Sequence, residues 1–121
     1  MQLNLIDKSN YLRAMLLLSG KDKKISSSER NFINVLGEKL GFEKSFTRQA
    51  VSSLFDNEYI KHEPPVFSNS QIAKSFILDG IKLIVTDPKL NQQEIDWLVK
   101  VAQANGLDES FIYDEIKKNP Q

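Results

Sequence analysis

The chain has 121 residues, is 40% hydrophobic and 26% charged, contains no cysteine, and has a formal charge of zero. That length fits one domain able to bury about two thirds of its unfolded surface without a covalent staple. The missing cysteines exclude disulfides, thiolate zinc sites and a thiol nucleophile, and the zero charge gives no support to a general nucleic-acid binder.

The opening "MQLNLIDKSN" lacks a basic segment followed by an apolar one, so no signal peptide is expected. Residues 9–20 are almost wholly apolar from Tyr11 to Leu18, which predicts a central helix. Residues 27–40 place Phe32, Ile33, Leu36 and Leu40 on one helical face. Residues 44–56 repeat such a stripe with Phe46, Ala50, Val51, Leu54 and Phe55. The Pro64-Pro65 pair in "EYIKHEPPVFSNS" forbids helix and predicts an extended connector over 57–71. Residues 69–86 bury Ile72, Ala73, Phe76, Ile77, Ile81 and Ile84, with Ser75, Asp79, Lys82 and Thr86 as the polar stripe. Residues 92–105 bury Ile95, Leu98, Val101 and Ala102, and residues 109–118 use Phe111, Ile112 and Ile116. The longest apolar zone, "FILDGIKLIV", is broken by Asp79 and Lys82 and is shorter than the roughly 20 residues a membrane span needs. A cytoplasmic protein is the expectation.

An offset of 65 aligns residues 22–46 with 87–111 without a gap. Asp22 meets Asp87, Ser26 meets Asn91, Glu29 meets Glu94, Phe32 meets Trp97, Gly41 meets Gly106 and Phe46 meets Phe111. The predicted architecture is all-α: a single domain over 1–121, a bundle of six to seven helices built from two tandem three-helix repeats. Repeat one covers about 9–56 and repeat two about 72–118. Gly41 and Gly106 each follow an amphipathic run and precede a large apolar residue, which predicts left-handed helix stops.

The repeated phrase, "DKKISSSE" and "DPKLNQQE", has two readings. In the first it is a helix start: Ser26 with Glu29 and Asn91 with Glu94 form capping boxes, and Asp22 and Asp87 favour the positive helix end. In the second, Asp22, Glu29, Asp87 and Glu94 converge on a hard cation, Ca²⁺, Mg²⁺ or Mn²⁺. The phrase is not an EF-hand loop, because Leu18, Gly20, Leu83 and Val85 stand at its first ligand positions and Lys23 or Pro88 at its glycine.

A long apolar helix, an Asp-Gly-x-Ile-Ser-x-x-Glu phrase and an amphipathic helix ended by Gly, written twice, resemble the TerB-like family, to which tellurite-resistance proteins belong. The resemblance covers residues 9–118, with Lys23 and Pro88 where the family has Gly. It implies a compact duplicated helical fold, a bacterial origin, and a role in stress response or membrane-linked complexes. It also implies an acidic metal-binding patch, which falls on Asp22, Ser26, Glu29, Asp87, Asn91 and Glu94.

Other residues read plainly. His62, the only histidine, is a solvated loop residue; Asp79 is a solvent-facing partner of Lys82; Trp97 is core. Lys21, Lys23 and Lys24 make a small basic loop, read first as a solvated surface and otherwise as a contact for an acidic partner. Residues 1–56 carry 9 Lys/Arg and 6 Asp/Glu, and residues 57–121 carry 7 and 10, read first as ordinary surface scatter and otherwise as an asymmetry able to orient a partner or a second copy of the chain as a homo-dimer. No nucleophile–base pairing, phosphate loop or histidine cluster is present. The expectation is a non-catalytic interaction module with an unknown protein partner. The alternatives are a pure adaptor without metal and an enzyme using a carboxylate-bound metal.

Overall fold

A helical segment apolar on every side hides its side chains only if other elements surround it. Tyr11–Ser19 is such a segment, and all of it except Arg13 is buried. The computed structural model describes residues 3–21, 25–53, 63–86 and 91–118, and among these every regular element is an α-helix. The six helices are α1 (Leu5–Ser19), α2 (Ser27–Leu40), α3 (Lys44–Ser52), α4 (Ser70–Ile84), α5 (Gln92–Ala104) and α6 (Ser110–Lys117). None is long and apolar enough to cross a membrane.

The two most apolar helices, α1 and α4, hold the centre. α1 packs on α2, α4 and α5, and α4 packs on α1, α5 and α6. Phe76, Met15, Leu18, Ile77 and Leu98 are among the fully buried side chains of one continuous core. The two outer helices dock differently. α3 leans on α2, where a Cβ at Gly37 would collide with the Thr47 hydroxyl oxygen. α6 leans instead on α4, burying Ile112 completely. Because α3 tilts toward α2, Phe46 is not covered as its stripe predicts. It is 52% exposed, stacked on Phe42 at 5.3 Å, beside an apolar cleft of about 210 Å³ between α1 and α3. Leu54 and Phe55, expected on the same stripe, lie outside the described residues.

The helix ends follow local chemistry. Asn4 and Asn69, 65 positions apart, each cap a central helix by accepting the backbone N–H three residues on, from Asp7 and Ile72. α1 therefore starts at Leu5, earlier than the apolar run alone indicates. Gly41 and Gly106 have φ of 92° and 69°, the left-handed region expected of them. At both, the glycine N–H and the next N–H turn back onto carbonyls of the finished helix. Gly41 and Phe42 reach Glu38 and Gly37; Gly106 and Leu107 reach Gln103 and Ala102.

The segment before α4 is fastened to the first turn of α1 and to the end of α5. The Asp7 carboxylate accepts the Ser68 backbone N–H at 3.0 Å and its hydroxyl at 2.5 Å. The Asn105 side chain accepts from the Phe67 N–H and donates to the Pro65 carbonyl, at 2.9 and 2.8 Å. Phe67 then joins Tyr11 and Phe76 in an aromatic trio with centroids 5.3–5.8 Å apart. Asp7 is 2% exposed, a burial that its hydrogen bonds make tolerable.

Candidate functional site

The two acidic phrases separate into what caps helices and what lies elsewhere. Ser26 forms the predicted capping box: the Glu29 N–H donates to its Oγ at 3.0 Å, and Glu29 Oε1 accepts the Ser26 N–H at 3.0 Å. Asn91 departs from that pattern. Its Oδ1 accepts from the Gln93 N–H at 2.7 Å, an Asx turn reaching two residues on, and the Glu94 N–H donates to the Asn91 carbonyl. The backbone differs here: ψ is 123° at Asn91, against 173° and 167° at Asn4 and Asn69, whose carboxamides reach the third residue, so the Ser26-type box is not formed at α5.

Glu29 and Glu94 are both buried, at 3% and 1% exposure. Asp22 and Asp87, the other two proposed cation ligands, lie outside the described residues, as do Lys23, Lys24, Pro88, Lys89 and His62. Among the described residues no three or more Asp, Glu, His or Cys side chains gather as a metal site would require.

A different feature stands out on the surface. α2, from Ser28 to Lys39, faces Asp79 and Lys82 in the C-terminal half of α4 across a groove of about 360 Å³. Phe32, Val35 and Leu36 supply its apolar wall, and Asp79, Lys82 and Lys39 its charges. Val35 is 43% exposed, an aliphatic side chain that this face leaves half in water. Asp79 is not a free surface residue paired with Lys82, as the polar stripe suggests. Its Oδ2 accepts a hydrogen bond from the Tyr11 hydroxyl at 2.5 Å, and that hydroxyl also lies 3.0 Å from the Ser75 Oγ. Burial, then the Asp79 carboxylate, pushes the Tyr11 phenol well above its ordinary value of 10.0. The phenol therefore stays a donor and holds Asp79 in the groove, while Lys39 and Lys82 stand exposed at the rim. Among the described residues the ion pairs are Lys44–Glu38 and Lys118–Glu115, so neither Lys39 nor Lys82 is neutralised in one.

The sequence signal for Tyr11–Asp79 was present in principle. A phenol inside an otherwise apolar run needs a hydrogen-bond partner when buried, and α4 offers Ser75 and Asp79 one turn apart. Periodicity alone cannot say that these two polar residues meet another helix rather than water.

Comparison with protein-family models, with curated proteins and with solved structures finds no match to this chain.

Proposed function

We propose that this chain is a non-catalytic helical interaction module of the TerB-like kind, built from two tandem three-helix repeats. The repeat is supported by devices that recur 65 positions apart: the caps Asn4 and Asn69, the starts of α2 and α5, and the stops Gly41 and Gly106. The different docking of α3 and α6 is then a divergence between copies. A bacterial stress-response or complex-assembly role is what the family resemblance implies.

The observation that carries the interaction reading is the α2/α4 groove. An apolar wall left partly in water, rimmed by Lys39 and Lys82, suits a partner segment that pairs an apolar side chain with carboxylates. Two ammonium groups face one carboxylate, and that carboxylate is already engaged by Tyr11. Peptide selection from a random library against the wild type, counter-selected on a Lys39→Glu/Lys82→Glu double variant, tests it. Acidic sequences around one or two large apolar residues support the reading. A pool without acidic enrichment removes it.

The metal-binding variant of this function rests on Asp22 and Asp87 with Glu29 and Glu94. Melting temperature against Ca²⁺, Mg²⁺ or Mn²⁺ separates it from the metal-free adaptor. A concentration-dependent rise lost in Asp22→Asn/Asp87→Asn supports metal. No rise at millimolar metal leaves the adaptor, and a hydrolytic or transfer activity lost in the same variant supports the enzyme alternative.

A further inference from the structure

A second charged pocket lies away from the α2/α4 groove, where the end of α1 meets α5. It holds about 250 Å³ and is lined by Lys21, Gln93, Asp96, Trp97 and Lys100. The Lys21 ammonium sits 4.4 Å from the centre of the Trp97 ring, so the aromatic face fixes its position. Trp97 itself is only 4% exposed, and its indole N–H is buried with no acceptor among the described residues. Neither Lys21 nor Lys100 takes part in an ion pair among those residues. Asp96, the one carboxylate in the lining, accepts a hydrogen bond from the Gln92 side chain at 2.8 Å.

Two ammonium groups lining one open surface pocket repel each other, and a bound anion removes that penalty. Lys21 is disfavoured in its charged form first by burial and then by Lys100, which places the two within electrostatic reach. With Asp96 present the lining carries one net positive charge, matched to a small oxyanion rather than to a polyanion. Gln93 adds an amide donor beside the two cations.

We infer that the pocket formed by Lys21, Trp97 and Lys100 binds a single phosphate-type oxyanion, free or carried as a monoester. The two ammonium groups supply the charge-assisted hydrogen bonds, and the Trp97 face keeps Lys21 in place when the pocket is empty. This site is independent of the α2/α4 groove and of the function proposed for it.

Trp97 is the only tryptophan, so its emission reports on this pocket alone. Inorganic phosphate, phosphoserine and succinate are titrated at constant ionic strength, with chloride as the reference. The expected result is a saturable change with inorganic phosphate and with phosphoserine, weaker or absent with succinate. Affinity falls about tenfold or more in Lys21→Gln and in Lys100→Gln, each of which removes one charge-assisted hydrogen bond. Lys39→Gln/Lys82→Gln leaves it unchanged. Because Lys21 touches Trp97 directly, the indole N–H resonance of the Lys100→Gln variant gives a second reading on a chain whose Trp97 contact is intact. A response that does not saturate, that succinate reproduces equally, or that survives in both lysine variants overturns the site.

Discussion

The Tyr11 hydroxyl reaches across the bundle to the Asp79 carboxylate, 68 residues later in the chain, and so ties the two central helices together at the surface groove. Removing that donor leaves a half-buried carboxylate short of its strongest partner. Tyr11→Phe is expected to destabilise the chain by about 1–3 kcal/mol. A double-mutant cycle with Asp79→Ala should return a coupling energy of about 0.5–3 kcal/mol by urea denaturation. Additive effects would mean that the two groups do not support each other.

The same phenol sets an alkaline limit on stability. Its folded value lies above the unfolded one, so the folded chain holds this proton more tightly. The contribution is fully present below the ordinary tyrosine value of about 10 and is lost as pH rises above it. Wild type should therefore lose stability above that pH more steeply than Tyr11→Phe. In the ultraviolet titration of wild type, a phenolate component that is absent from Tyr11→Phe should appear only well above pH 10.0. Equal pH slopes in wild type and variant would contradict this.

Gly41 and Gly106 test the helix stops. A Cβ at either position meets nothing within 4 Å, so substitution is penalised only by the positive φ. Gly41→Ala and Gly106→Ala should each cost about 1–2 kcal/mol, and the asparagine variants less. Thermal melts that order Ala above Asn would show that the left-handed geometry is not what ends these helices.

Two other glycines separate rigid contact from soft contact. Gly37→Ala drives a methyl into the branched head of Thr47, which α3 cannot withdraw without moving. At Gly80 the nearest atom, at 2.8 Å, is the tip of the Leu98 side chain. Overpacking of about 1–3 kcal/mol is expected at Gly37, and a smaller loss at Gly80, where Leu98 can rotate. Thr47→Ala should recover part of the Gly37→Ala loss. Equal losses at both glycines, without that recovery, would contradict the assigned closeness of α2 and α3.

Much of this fold was legible from local pattern. The apolar run of Tyr11–Leu18, the stripes of α2 and α5 and the glycine stops follow from helical period and backbone chemistry, and each stands where it was expected. Asp7 was not legible, because its partner is Ser68, 61 residues later in the chain and beyond α2 and α3 in sequence. Asn105 was hidden for the same reason: its stitch to Pro65 and Phe67 exists only once α5 has packed. Phe46 failed in the opposite direction. Its spacing marks it as core, but the lean of α3 toward Gly37 decides its exposure, and tertiary packing overrode the stripe. The groove inherits this limit, since it joins residues of α2 and α4 that no short window contains.

The groove itself is tested most directly by backbone amide chemical-shift mapping with a synthetic peptide that places leucine or phenylalanine among aspartates and glutamates. The account predicts saturable shifts centred on Phe32, Val35, Leu36, Asp79 and Lys82, weakened by salt and lost in Lys39→Glu/Lys82→Glu. Shifts centred elsewhere, or a response indifferent to that charge reversal, would contradict it.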